Sequence, residues 1–363
     1  MTPAAQTYGG EAIPVRNIYY LLCYAWDQWD GGPPVEVDEV DGASVLELLA
    51  LLLARGTSRL LKQGLHREYR SRALELAGVR GKLLLAPTLG RGLLERGRTI
   101  SEVDELSEDT PANRIIRGAL ETLVRDPSLA REVHLEVRGV RDRFPSTVPV
   151  APLRALQIRR IPVHRNNRSY RLLLQICELI QKNLLVSPDG RRETFQDFRK
   201  DSRQMWRIFE LFLERFLARE FQDLKVAGGK QIAWHGVKGT QAHMARLPRM
   251  KTDIVVASSE RILILDAKFY KDAFSGQFGK EGVRSGHLYQ ILTYLGNRAA
   301  ADQEERARLD RPPRAVDGVL VYPVVKEAFD LRYAFPGHGV RVCSVDLGGE
   351  WQRVREEVRG LVG

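Results

Sequence analysis

Residues 252–268 constrain the fold more than any other stretch of this chain. Ile262, Leu263, Ile264 and Leu265 form an unbroken apolar run that ends in Asp266, Ala267 and Lys268. A run this short reads as a buried strand, and strand geometry puts residues two apart on the same face. Asp266 and Lys268 therefore point the same way. The preceding segment Thr252, Asp253, Ile254, Val255 and Val256 is also strand-like, and Ser258, Ser259 and Glu260 suit a turn between the two. Together they predict a hairpin that brings Asp253 beside Asp266.

Two carboxylates and an ammonium in this layout have the properties that phosphodiester hydrolysis requires. Paired carboxylates hold Mg²⁺ through hard oxygen ligands and leave waters on the ion, one of which can be activated as the nucleophile. A lysine beside them can orient that water or steady the charge growing on the phosphate. The set resembles the nuclease superfamily pattern written PD-(D/E)xK, with Thr252 in the place of the proline and Asp266 as the second acid. The simpler reading is chance: Asp-x-Lys is a common string, and an aspartate at a strand end also serves as a turn former or a solvated charge.

Two further segments favour the catalytic reading. From His287 to Leu295 the spacing is helical, with Leu288, Ile291, Leu292 and Leu295 on one face. Gln290 and Tyr294 are four apart, hence helical neighbours, and this QxxxY pair resembles the extra motif of RecB-like members of the superfamily, where the glutamine lies near the site. Upstream, Met205 to Phe221 is amphipathic, with Ile208, Phe209, Phe212, Leu213, Phe216 and Leu217 as a core face. That helix carries Glu210 and Glu214, and nucleases of this type often take a further acid from a helix before the first strand. Glu210 is the candidate third metal ligand; its alternative is a solvated or Arg-paired side chain, the reading favoured for Glu214.

Charge agrees with a polyanionic partner. The 363 residues carry 56 Lys and Arg against 46 Asp and Glu, a net charge of +10. The excess lies in the stretch from Arg55 to Arg98 and again from Arg154 to Arg171; residues 1–50 hold only Arg16 against eight acids. Either basic region contacts DNA or simply solvates a surface. Cys23, Cys177 and Cys343 are far apart in apolar surroundings and read as core thiols of a cytoplasmic protein. The seven histidines form no zinc motif, and His287 earns notice only for its closeness to Gln290. No apolar run reaches a membrane span, and the N-terminus lacks an export signal. Gly81-Lys82 and Gly279-Lys280 lack the rest of a P-loop, so no nucleotide site is expected in this chain.

The pattern of elements predicts an α+β fold in two parts. Residues 1–195 mix a helix from Ser44 to Lys62, strand-like pieces at Lys82 to Leu85 and Val133 to Val137, and helices from Asn113 to Val124 and from Tyr170 to Leu185, with a turn at Ser187, Pro188, Asp189 and Gly190. Residues 196–363 hold the Met205 helix, the hairpin and the Gln290 helix. A charged linker from Gln303 to Arg314 and buried strands at Val316 to Val325 and Val340 to Leu347 follow. This order matches the αβ core of restriction-type nucleases.

A resemblance covering nearly the whole chain sharpens these expectations. Ile13-Pro14-Val15-Arg16-Asn17-Ile18-Tyr19-Tyr20-Leu21-Leu22 opens it, and Gly78-Val79-Arg80-Gly81-Lys82, Glu108-Asp109-Thr110 and Ala112-Asn113-Arg114-Ile115-Ile116 continue it. Leu247-Pro248-Arg249-Met250, Asp266-Ala267-Lys268-Phe269-Tyr270-Lys271, Leu288-Tyr289-Gln290 and Val321-Tyr322-Pro323 come next, and Asp346-Leu347-Gly348 with Glu350-Trp351 closes it. These motifs resemble the McrC family, the nuclease subunits of McrBC modification-dependent restriction systems. The resemblance implies that residues 1–195 include a finger-like region that enters the channel of an McrB-type AAA+ GTPase hexamer and stimulates it. The partner would recognise DNA containing methylated cytosine, and this chain would cut it with Asp253, Asp266 and Lys268. Arg16 and Asn17 are candidates either for the stimulating contact or for anchoring the fold. Two other readings stand beside this one: a non-catalytic adaptor of an AAA+ motor, and a stand-alone RecB-like nuclease.

Overall fold

A computed structural model of the chain describes residues 13–26, 42–164, 167, 169–186, 193–268, 274–277, 280–324 and 328–363. The expected turn at Ser187 to Gly190, the Phe269-Tyr270-Lys271 end of one motif and Gly279 lie outside the described residues. The chain forms two compact units. Residues 44–196 form one; residues 1–43 and 197–363 form the other. One boundary falls after residue 196, next to the expected 195, and a second at residue 43 returns the N-terminal segment to the unit of residues 197–363.

Helix α1 (Val15–Ala25) is the reason for that return. Its apolar side chains are buried almost all round, and its Asn17 amide donates to the carbonyls of Leu347 and Gly349, 2.7 and 2.9 Å away. Arg16 pairs with Glu350, and the Tyr20 ring stacks on Trp351 with centroids 4.4 Å apart. The first and last motifs of the sequence thus meet in space, and Arg16 and Asn17 act as anchors.

In the unit of residues 44–196, α2 (Val45–Gln63) begins with a capping box in which Ser44 and Glu47 satisfy each other's backbone N–H groups. Strand β1 (Glu68–Ala77) pairs antiparallel with β3 (Arg98–Ser107) over ten residues, and β2 (Lys82–Leu83) adds to the other side of β3. Ten residues make a ribbon about 33 Å long. Most of β1 is exposed, and many cations of this basic stretch meet local acids: Arg67 meets Glu108, Arg70 meets Asp109 and Arg98 meets Glu75. Helices α3 (Pro111–Val124), α4 (Arg131–Asp142) and α5 (Tyr170–Lys182) complete the unit around α2. The strand expected at Val133 to Val137 is instead part of α4. Only Val137 and Val140 are buried there, three apart, so the alternation of valine and leucine was incidental to a helical face.

The second unit is a six-stranded mixed sheet with helices packed on it. Helix α6 (Ser202–Glu220) starts at an Asp201 cap and packs against α1. The strands are β4 (Lys225–Gly228), β5 (Ile254–Ala257), β6 (Arg261–Ala267), β7 (Ala315–Val324), β8 (Asp330–Phe335) and β9 (His338–Asp346), in the spatial order β8-β9-β7-β6-β5-β4. Strands β6 and β5 are the predicted hairpin, antiparallel with Leu265 opposite Ile254. Strand β7 is parallel to β6, and the crossover between them is α7 (Ser285–Ala307). This helix reaches Ala307, so the charged linker expected from Gln303 shrinks to residues 308–314. Helix α8 (Trp351–Arg359) closes the chain. Cys23, Cys177 and Cys343 are free and buried, as core thiols should be. No helix among the described residues is long and apolar enough to cross a membrane.

Candidate active site

The central strands deliver the acid pair. Because Leu265 faces Ile254 in the antiparallel register, the next residues along each strand, Asp266 and Asp253, come side by side at the sheet's end. The Asp253 carboxylate accepts the backbone N–H of Ala267 at 2.8 Å, which fixes it against the neighbouring strand. Its own carbonyl accepts from the Gly229 N–H, and the Lys268 N–H donates to Val321 on β7, so the backbone around the pair is held on both sides.

Both carboxyls are hard to ionise as they stand. Burial raises Asp253 to about 7, helped by the nearby charges of Asp266 and Glu210 and opposed by the Ala267 N–H and Lys268. Burial also raises Asp266, against the pull of Lys268. The Lys268 ammonium forms an ion pair with the buried Oδ2 of Asp266. On its other side Lys268 Nζ donates to Gln290 Oε1 at 2.7 Å. Gln290 Nε2 donates in turn to the Tyr294 hydroxyl at 2.8 Å. The QxxxY pair on α7 therefore positions the lysine, and the lysine touches the acid.

Helix α6 supplies the opposite wall. Glu210 faces the pair closely enough that Asp266 helps raise its carboxyl, although burial is the larger cause and Lys251 opposes it. Glu214, one turn on, was expected at the surface. It lines the same cavity and lies so close over Gly228 that a Cβ at that glycine would meet the carboxylate at 2.3 Å. Sequence spacing put both glutamates on one side of α6 but did not show that β4 runs beneath that side. His287 does not join the array: it shares a 2.7 Å hydrogen bond with the Tyr322 hydroxyl, and burial with the charges of Lys268 and Arg284 lowers it to about 4.

These residues surround one cavity of about 960 Å³ that contains Glu210, Glu214, Asp253, Asp266, Lys268 and Gln290. Exposed Arg203, Arg207 and Lys251 stand at its rim, so an acidic floor is ringed by cations. The donor set is hard oxygen throughout, and two adjacent carboxyls that resist carrying charge together suit a divalent cation. Among the described residues no group of three acid, histidine or cysteine side chains is gathered tightly enough to hold an ion. Asp253 and Asp266 are the residues that could hold a divalent cation, and Glu210 lines the same cavity.

Known proteins resemble this chain over most of its length. The chain is 31% identical over 348 residues to the type IV methyl-directed restriction enzyme EcoKMcrBC of Escherichia coli (strain K12), covering 95% of this chain and 96% of that protein. Its fold is similar to a chain in the tetradecameric assembly of Thermococcus gammatolerans McrB AAA+ hexamers with bound McrC, with a TM-score of 0.57 and 19% identity, over 96% of this chain and 75% of that one. Residues 18–323 match the family described as a McrBC 5-methylcytosine restriction system component, and the chain belongs to that family.

Proposed function

We propose that this chain is the Mg²⁺-dependent DNA endonuclease subunit of a methylcytosine-directed restriction complex, working with an McrB-type AAA+ GTPase. The observation that carries the reading is the array Asp253, Asp266, Lys268 and Gln290 in one cation-rimmed cavity. Asp253 and Asp266 would hold the metal, which supplies Lewis acidity and a water of lowered pKa. Glu210, which lines the same cavity, is the candidate third acid for the metal's shell. Lys268, steadied by Gln290, is placed to orient the attacking water or to meet charge growing on the phosphate. Arg203, Arg207 and Lys251 are placed to hold the flanking phosphates.

Partner docking is assigned to the exposed ribbon of residues 68–107. Tyr69 and Leu106 sit directly opposite each other across β1 and β3, yet are 76% and 52% exposed. We take this exposed apolar cross-strand pair as the contact surface. The relatives' assembly with an AAA+ ring makes that ring the expected occupant, and DNA delivered by it the expected substrate.

The test is Lys268→Ala in the complex with the AAA+ partner, methylated DNA, GTP and Mg²⁺. Cleavage should fall about 100- to 1,000-fold, while complex formation and GTP hydrolysis stay as in the parent protein. Chelating the metal should stop cleavage by the unmodified chain. Cutting by Lys268→Ala at the parent rate would remove the proposed mechanism.

A further inference from the structure

Trp206 lines the same cavity and has no part in the chemistry above. It lies on α6, one turn before Glu210, and is 39% exposed. Its indole N–H donates at 2.9 Å to the carbonyl of Ala267, the residue between Asp266 and Lys268. That bond locks the ring to the strand end that carries both groups. An exposed indole with its one polar group already satisfied offers a flat apolar face and loses little freedom on binding. Arg203 and Arg207, on the same helix, and Lys251 stand at the rim of the same cavity. Cations beside a fixed aromatic face form the combination that binds a nucleic-acid strand whose bases are splayed from the stack.

We infer that Trp206 is a stacking platform for a nucleobase beside the scissile phosphate. The strand enters the cavity with that base unstacked from one neighbour, and Arg203, Arg207 and Lys251 hold the phosphates around it. The ligand class is a single nucleotide of any base identity, because every base has a π-face. This rests on the nuclease reading of the site. It adds that the DNA is locally distorted when cut.

The experiment measures single-turnover cleavage by the full chain with its AAA+ partner on methylated duplexes, with an abasic residue stepped through the positions around the cut. On intact DNA Trp206→Ala and Trp206→Leu should cleave about 5- to 150-fold more slowly, and Trp206→Phe should recover much of the loss. With the abasic residue at the stacking position the parent chain should slow to the rate of Trp206→Ala, and that variant should lose nothing more. If Trp206→Ala cleaves at the parent rate, or loses the same factor on every abasic duplex, the indole only braces the strand end and the inference fails. Lys268→Ala run in parallel separates the two claims: cleavage by that variant at the parent rate defeats the nuclease reading itself, whatever Trp206 does.

Discussion

Asp109 and Asn113 belong to two neighbouring motifs that carry the resemblance to the McrC family, yet they lie in the unit of residues 44–196 and the acid pair lies in the other. Asn113 is fully buried: its amide donates to the carbonyls of His66 and Glu108, and its Oδ1 accepts from Tyr170. Asp109 accepts from Arg70 at 2.6 Å and from Arg114 at 2.7 Å, and Thr110 caps α3. The motif therefore ties the base of the ribbon to α3 and α5. The hydrogen bond from Arg114, with the charge of Arg70, holds the Asp109 carboxyl below its usual range despite burial. An unfolded aspartate titrates near about 4, so the unfolded chain takes up the proton first as pH falls. The stabilisation is complete above that value and is lost as pH drops through the lower folded one. Asp109→Asn should accordingly be less stable than the parent by a constant margin from pH 5 to 7, with the margin closing below about pH 4. Chemical unfolding at stepped pH reads this; a margin that persisted at low pH would show the ion pairs to be minor.

Helix α7 and strand β7 illustrate control of the site by packing between elements. Gly318 on β7 lies under α7, and a Cβ there would approach Ile291 Cγ1 to 2.7 Å and Leu295 Cδ1 to 3.1 Å. Both side chains belong to a buried core, so neither has room to retreat. Gly318→Ala should cost about 1–3 kcal/mol and lift the helix that presents Gln290 beside Ile291. Cleavage should fall by more than DNA binding does, because Gln290 orients Lys268 without itself touching the acids. Thermal unfolding and single-turnover cleavage of the same variant test both halves. An unchanged melting temperature would mean that α7 shifts freely. Gly81 makes a comparable demand in the ribbon. Its φ of +77° and a Glu102 carbonyl 2.4 Å from where a Cβ would sit leave glycine as the residue that fits, which accounts for the Gly78 to Lys82 motif.

At the scale of the molecule, the chain starts in one compact unit, builds a second from residues 44–196 and returns to finish the first. The proposed chemistry and the proposed partner contact fall in different units, so separable phenotypes are expected. Replacing Tyr69 and Leu106 together by serine should lower GTPase stimulation and GTP-dependent cleavage in the complex. Stability and metal binding should not change, since both side chains are already exposed. A parallel loss of stability in melting curves would show the pair to be structural instead. The acid pair, the lysine and the QxxxY helix were legible in the sequence because they follow local rules: strand alternation, a three-residue turn and helical spacing of four. The ribbon was not, since both faces of β1 are largely solvated and its residues show no apolar period. Val133 to Val137 misled for the converse reason, a chance alternation on a helix with a narrow buried face.

By itself the sequence determined the central hairpin, the placing of Asp253 and Lys268 beside Asp266, and the family. Each is a matter of residue type and short-range order, which the chain carries wherever it is. Only the tertiary structure decided that Glu214 joins the cavity, that the first and last motifs brace each other, and that an indole stands fixed beside the acids. Those facts depend on which faces of distant elements are pressed together, and no local spacing encodes them.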